Sequence, residues 1–403
     1  MYRVRRQKVL EKMMDQSIAI IYSSNPVLRD FFYLTGIERS NMALVLVKCN
    51  EQMQELLFIP KPDPFYEKWN GKLMTIEEAR EVSQINSIHY IEDLDSTVLR
   101  FIDRSPIAHL YFDLQECHLE PNQEMNTRNA ILYRDHFPSL AIKNIHDIIG
   151  VLRMSKDKNE IEAIKHAIEM TNQGLEDVMS CLKPGLYEYQ VQAIYEYRIK
   201  YLGSIKPSFN TIAGAGYNGT MLHYGTNRDL CRDGDLILLD LGSMSEGYCS
   251  DITRTYPING KFTDRQKQIY NIVLKANETI SKVAKPGMTL IELNDICKEV
   301  LANGLLEIGL IRDKSEISRY YMHGVSHHLG LDVHDVTISS CPQLMPGAVI
   351  SNEPGIYIEE EAIGIRIEDD LLITEDGCVV LSQNIIRTVE DIEEFMASNT
   401  MEL

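Results

Sequence analysis

The stretch KDKNEIEAIKHAIEMTNQGLEDVMSCLKPG, residues 156–185, organises the chain. Within it Ile161, Ile164, Ala167, Ile168, Thr171, Leu175 and Val178 recur near a 3.6-residue period. That spacing predicts one long amphipathic helix, stopped at Lys183-Pro184-Gly185. A second helix is expected over about 186–202. The pattern returns downstream. A helix over about 264–283 runs into Lys285-Pro286-Gly287, and another begins near Leu290. The two triplets lie 102 residues apart (183 to 285), and each precedes a shorter helix with an early glutamate, Glu188 or Glu292. One tripeptide carries little. The shared context predicts a duplicated half-domain, since repeated architecture shows as shared order and period. Two similar halves about a pseudo-twofold axis would place a site between them, with ligands drawn from both.

Upstream, short apolar runs alternate with helical patterns, as in an α/β domain. Strands are expected at Ser17–Tyr22, Ala43–Val47, Leu56–Pro60 and Ala108–Asp113. A capped helix start is expected at Thr75, with Glu78 three positions on. At 403 residues the chain exceeds one ordinary domain. The reading is an α/β (α+β) protein of two domains, 1–150 and 151–403. No run approaches the ~20 apolar residues that span a membrane. The basic start Met1–Lys8 is followed by no apolar signal core, so the chain is read as cytoplasmic. A net charge of −19 argues against nucleic acid as a partner. Eight cysteines, including Cys117, show no CxxC spacing, so neither a zinc knuckle nor a disulfide scaffold follows, and most are expected to be small buried hydrophobes.

The chemistry-bearing residues come late. Asp233-Gly234-Asp235 is a turn, Leu236–Leu239 a buried strand, and Asp240 closes it. A hairpin turn at Ser245-Glu246-Gly247 leads back through Asp251, and hairpins bring such residues together. Asp251 alone could be a surface strand residue. A carboxylate closing a buried run, however, needs a partner or a metal. Four of the eleven histidines, His323, His327, His328 and His334, fall within twelve residues. Spacing does not tell which of them would bind a metal. Glu353 ends another apolar run before Pro354-Gly355. Alternation over Ile363–Glu368 puts Arg366 and Glu368 on one face of a strand. Oxygen-rich sites with one imidazole suit Mn²⁺, Co²⁺ or Zn²⁺. Four carboxylates exceed what one divalent ion neutralises, and two ions ~3.5–4 Å apart form a known hydrolytic centre.

Three sets of motifs carry a resemblance to a known family. The first is His323-Gly-Val-Ser-His327 with Leu329-Gly-Leu-Asp-Val-His334-Asp. The second is Glu353-Pro-Gly-Ile-Tyr357 with Gly364-Ile-Arg366-Ile-Glu368-Asp. The third is Asp240 in Leu-Asp-Leu-Gly with Asp251 in Ser-Asp-Ile-Thr-Arg-Thr. Together they resemble the pita-bread metallopeptidases, and within them the aminopeptidase P (Xaa-Pro aminopeptidase) group. Ile212–Gly216 and Leu222-His223-Tyr224 are similar to the stretch leading to that group's substrate-contacting histidine. Tyr33-Leu34-Thr35-Gly36 and Glu67–Gly71 resemble its creatinase-like amino-terminal domain. The resemblance spans nearly the whole chain.

It implies a pita-bread carboxy-terminal domain with two metal ions, Mn²⁺ first and Co²⁺ or Zn²⁺ as alternatives. Asp240 would chelate one ion, His327 and Glu353 the other, and Asp251 and Glu368 both. His223, His323 and His334 would line the substrate site, with Arg366 supporting Glu368 and Glu353 moving protons. The implied reaction is release of an amino-terminal residue preceding proline, by attack of a hydroxide held between the ions. The implied assembly is a homodimer or larger homo-oligomer. Prolidase, which cleaves Xaa-Pro dipeptides, shares the same ligands. A non-catalytic peptide- or protein-binding relative would be expected to have lost some of them. His328 stands where relatives often carry Trp, and Pro207–Thr211 departs from the usual pattern. Both bear on pocket shape. Trp69, the only tryptophan, is expected in the core or at a contact between subunits.

Overall fold

The capping boxes and the Lys-Pro-Gly stops set the helical frame of the carboxy-terminal part. The computed structural model describes residues 1–115 and 124–399, so Cys117 lies outside the described residues. The chain forms two compact units, Met1–Arg153 and Met154–Leu403.

The first unit is a six-stranded mixed sheet with helices. Its strands are β1 (Ser17–Tyr22), β2 (Ala43–Cys49), β3 (Gln52–Ile59), β4 (Ser87–Tyr90), β5 (His109–Phe112) and β6 (Ala141–Asn144), in the order β4-β3-β2-β1-β5-β6. The helices are α1 (Tyr2–Lys12), α2 (Arg29–Thr35), α3 (Pro64–Asn70), α4 (Ile76–Ser83), α5 (Leu94–Arg104), α6 (Met125–His136) and α7 (His146–Met154). Every residue of β1 is buried, which fits its central place between β2 and β5. Ile18, Ile20, Val45, Phe58, Leu110 and Phe112 build the core on one face. Thr75 and Glu78 form the capping box of α4. Trp69 is 77% exposed on α3, a helix with no buried residue, so it is not a core residue.

The second unit opens with α8 (Lys158–Cys181), capped by Asp157 and Glu160, then α9 (Glu188–Tyr201). Strands β7 (Ile212–Ala215), β8 (Leu236–Leu241), β9 (Met244–Ser245), β10 (Tyr248–Cys249) and β11 (Ile252–Pro257) follow. Next come α10 (Asp264–Val283) and α11 (Leu290–Glu307), each with its own capping box. Strands β12 (Val349–Asn352), β13 (Gly355–Ile358), β14 (Ile363–Arg366), β15 (Asp369–Ile373) and β16 (Cys378–Val380), then α12 (Val389–Ser398), complete it. The sheets run β11-β8-β7, β12-β15-β16 and β13-β14, with β9 and β10 as a small hairpin.

The two halves repeat down to single hydrogen bonds. Gly185 N donates to Cys231 O and Cys231 N to Leu186 O; Gly287 N donates to Leu344 O and Leu344 N to Met288 O. Both glycines have positive φ, 97° and 86°, the backbone region that a Cβ disfavours. Gly234 and Gly347 then turn the chain, at φ 84° and 86°, into β8 and β12. The 113-residue step from Leu236 to Val349, the first residues of those strands, carries Asp240 onto Glu353. Each shorter helix carries its early glutamate, Glu188 and Glu292, in the first turn, but the two are not equivalent positions. Gln190 and Glu292 are the matching residues, each accepting from the backbone N–H at its helix cap, Tyr187 and Thr289. Glu188 is instead fully buried. It accepts from Ala215 N, Asn218 Nδ2, Asp229 N and Tyr224 Oη, and so ties down the loop that carries His223.

Candidate metal centre

Asp240, Asp251, His327, Glu353, Glu368, Arg366, His223, His323 and His334 all line one cavity of about 600 Å³ in the second unit. Phe209, Leu222 and Val333 give it apolar wall. One ligand atom each of Asp251, His327 and Glu368 lies within 4.8 Å of the others. Asp240 and Glu353 flank that tight group from the ends of β8 and β12.

Asp240 lies opposite Thr253 in the β8–β11 ladder, and Asp251 stands just before β11. The turn Glu246-Gly247, both at positive φ, makes the hairpin between them. Gly242 allows the return strand to approach, since a Cβ there would sit 2.0 Å from Ser250 O. Arg366 and Glu368 do not share a strand. β14 ends at Arg366, and β15 begins at Asp369 in another sheet. Glu368 sits in the break, where its N–H donates to Thr253 O, and both side chains still face the cavity.

Arg366, 3% exposed, organises the polar floor. Its Nη2 donates to Asp240 Oδ2 at 2.6 Å, Nη1 to Tyr357 Oη at 2.8 Å, and Nε to Thr253 Oγ1 at 3.1 Å. Thr253 Oγ1 donates to Glu368 Oε2 at 2.6 Å. Asp240 Oδ1 is buried and has no hydrogen-bond partner among the described residues. A buried anionic oxygen left this way is costly unless a cation takes it.

His327 Nδ1 lies 3.1 Å from His328 O, to which it donates, so Nε2 is the nitrogen turned to the carboxyls. Nε2 faces Asp251 Oδ2 at 3.3 Å and Glu353 Oε1 at 3.5 Å. Burial opposes charge on His327, but these two carboxylates more than offset it and raise its pKa to about 9. Burial raises Asp251 to about 6, with His327 pulling back and Asp240 adding repulsion. Burial likewise raises Glu353 to about 7. Glu368 is pushed well above the usual range by burial and by its neighbours Asp251, Glu353 and Asp240. Crowded, buried carboxyls that resist ionising together suit a polycation in their midst.

His323 is neutral, its pKa lowered to about 4 by burial and by Arg366. Its Nδ1 lies 2.7 Å from Gly324 O and its Nε2 2.9 Å from Tyr357 Oη, so both nitrogens are engaged. His223 and His334 are exposed at the cavity wall. The His334 ring packs edge-on to His327 at 4.3 Å. His328 does not line the cavity. It is 2% exposed, neutral with its pKa lowered to about 4 by burial and Lys156, and its backbone pairs with Ile350. Phe209 and Asn210, by contrast, do line it. Tyr357 and Thr253 were not singled out by sequence, although both mediate between Arg366 and its neighbours. The available signal for Tyr357 was Gly355, where a Cβ would sit 2.5 Å from Tyr357 Oη.

Residues 162–375 match metallopeptidase family M24, and residues 26–111 match the aminopeptidase P N-terminal domain. The chain belongs to metallopeptidase family M24. Xaa-Pro aminopeptidase of Escherichia coli (strain K12) is 31% identical, with 98% of this chain and 97% of the relative covered. The Haemophilus influenzae Xaa-Pro aminopeptidase is 32% identical, covering 98% and 96%. A solved Bacillus anthracis structure described as an aminopeptidase P superposes with a TM-score of 0.97 at 40% identity, covering 100% of this chain and 99% of that one. The Escherichia coli aminopeptidase P with the inhibitor Pro-Leu gives 0.88 at 31% identity, covering 99% and 98%. The fold is thus the M24 pita-bread fold behind an aminopeptidase P-type amino-terminal domain. No helix among the described residues is long and apolar enough to cross a membrane.

Proposed function

We propose that this chain is a cytoplasmic Xaa-Pro aminopeptidase with two divalent ions, Mn²⁺ first among them and Co²⁺ or Zn²⁺ as alternatives. The observation that carries this reading is the convergence of four carboxyls and the Nε2 of His327 on one cavity, with Asp240 Oδ1 buried and without a hydrogen-bond partner among the described residues. In this assignment Asp240 would hold one ion, His327 and Glu353 would hold the other, and Asp251 and Glu368 would be shared ligands. Such a pair supplies an activated water and a Lewis acid for the scissile carbonyl.

The chain's own residues do the rest. Arg366 and Thr253 fix Asp240 and Glu368, so the donor set is preorganised. Glu353, lining the cavity with Oε1 3.5 Å from His327 Nε2, is the carboxyl we assign to accept and return a proton. His223 and His334, at the cavity wall, are the free imidazoles that can donate to the substrate carbonyl or leaving nitrogen. His323 acts indirectly, by holding Tyr357 against Arg366. A residue followed by proline offers no N–H at the scissile bond. The apolar wall of Phe209, Leu222 and Val333 can therefore recognise ring shape in place of strand-like pairing.

We assign residues 1–150 to a creatinase/prolidase-like domain and 151–403 to the catalytic domain, and we place the chain in a homodimer or larger homo-oligomer. The exposed Phe65, Tyr66 and Trp69 of α3 support such a contact. Replacing Asp251 with Asn tests the centre. Both ions and activity should be lost, whereas full metal content with unchanged turnover would contradict the assignment. Prolidase activity is the second reading, because the same donors serve it.

A further inference from the structure

The long helix of each half places one fully buried polar side chain behind the carboxyls of that half. On α10, Asn277 is 0% exposed. Its Nδ2 donates to Asn352 O at 3.2 Å and to Ile367 O at 3.3 Å. Those carbonyls belong to the residues immediately before Glu353 and Glu368. Two carbonyls can be bridged only by the amide NH₂, so the orientation of the side chain is fixed by its partners. Asn352 Nδ2 returns the contact, donating to Asn277 O at 2.9 Å and to Ser281 Oγ at 3.1 Å.

On α8, Thr171 is also 0% exposed, with Oγ1 2.9 Å from Ser250 Oγ and 3.3 Å from Tyr195 Oη. Ser250 immediately precedes Asp251. One turn earlier, Ala167 O accepts from Ser243 Oγ at 2.7 Å, and Ser243 and Ser250 bond each other. The helix thereby grips both arms of the hairpin, three residues after Asp240 and one before Asp251.

The arrangement is not what packing alone would select. Asn277 Oδ1 and Asn352 Oδ1 are buried without a hydrogen-bond partner among the described residues, which costs stability that an aliphatic pair would avoid. The pattern serves geometry. The β12–β15 ladder ends at the pair Asn352–Asp369 and the β13–β14 ladder begins at Gly355–Arg366, so Glu353 and Glu368 lie in the gap between two ladders of different sheets. At that gap the Asn277 amide ties the two backbones to one point on a rigid helix.

We propose that Asn277 is a positioning residue that sets the Glu353–Glu368 separation, and that Thr171, through Ser250, does the same for Asp240 and Asp251. The inference rests on the two-ion reading above.

The test is Mn²⁺ binding to metal-stripped full-length protein by calorimetry, with electron paramagnetic resonance to detect coupled ions. Asn277→Leu keeps the branched heavy-atom skeleton and removes the bridge, and should weaken Mn²⁺ affinity about tenfold while the protein still folds. Thr171→Val should weaken it similarly, with Thr171→Ser restoring it. A change under threefold in folded Asn277→Leu, and in Thr171→Val relative to Thr171→Ser, would overturn the proposal. A larger change supports it. If Asn277→Leu does not fold, the Thr171 pair decides by the same threshold. Wild-type protein that takes one ion without a coupled signal would refute the two-ion reading, while the affinity comparison would still decide this one. Wild-type protein that takes none would refute both.

Discussion

Replacing Arg366 by Leu removes the cation that holds the floor of the centre together. Three hydrogen bonds go, to Asp240 at 2.6 Å, Tyr357 at 2.8 Å and Thr253 at 3.1 Å. The side chain is 4% exposed and its Asp240 partner 13%, so solvent does not replace the lost contacts. Breaking one partner of a buried pair costs about 3–5 kcal/mol, because the remaining charge stays buried. A unit of this size shifts about 2–4 °C per kcal/mol, so the metal-free variant should melt about 6–20 °C lower. The assay is thermal unfolding with and without excess Mn²⁺. Removing a cation beside Asp240 strengthens the attraction of this site for another, so Mn²⁺ should narrow the gap. A metal-free shift under about 2 °C, or a gap that Mn²⁺ widens, would refute the reasoning.

Metal uptake should release protons near pH 6, since Asp251 and Glu353 titrate at about 6 and about 7 in the folded metal-free chain. Affinity should rise steeply from about pH 5 to 7 and more gently up to about pH 9, where His327 also loses its proton, as checked by calorimetry in buffers of different ionisation enthalpy. The same raised carboxyls bind protons that the unfolded chain releases. They therefore reduce metal-free stability as pH rises from the ordinary carboxyl range through about 7. His327 acts in the same direction over a higher window, adding stability below its ordinary value that is lost as pH rises through about 9. Gly364→Ala would put a Cβ 1.8 Å from Gly219 O, backbone against backbone. It should displace β14 and Arg366 and lower both Tm and kcat. His328→Leu should leave KM within about twofold and Tm unchanged or higher. That side chain misses the cavity and its buried Nδ1 has no hydrogen-bond partner among the described residues, while its carbonyl, which serves His327 and Asp335, is retained.

The helices around Lys183-Pro184-Gly185 and Lys285-Pro286-Gly287 were legible because caps, period and stops agree locally. Strands β1, β2, β3 and β5 were legible as apolar runs. β4 and β6 were not, being four residues each and largely half-buried, with no alternation to read. The cavity-lining residues announced themselves as charges closing apolar runs. Their supports did not. Tyr357, Thr253, Asn277 and Glu188 act through partners far along the chain, and ordinary residue types carry no local mark of that. The strand break between Arg366 and Glu368 was hidden for a related reason. Simple alternation continues through it, and only pairing with two different sheets reveals it.

The most direct measurement compares hydrolysis of Ala-Pro-Ala and Ala-Pro by purified protein with added Mn²⁺ and with a chelator. The account predicts rapid, Mn²⁺-dependent release of alanine from the tripeptide, slow cleavage of the dipeptide, and neither with the chelator. Preference for the dipeptide would make the chain a prolidase. Cleavage of neither peptide, or cleavage that survives the chelator, would contradict the proposed function.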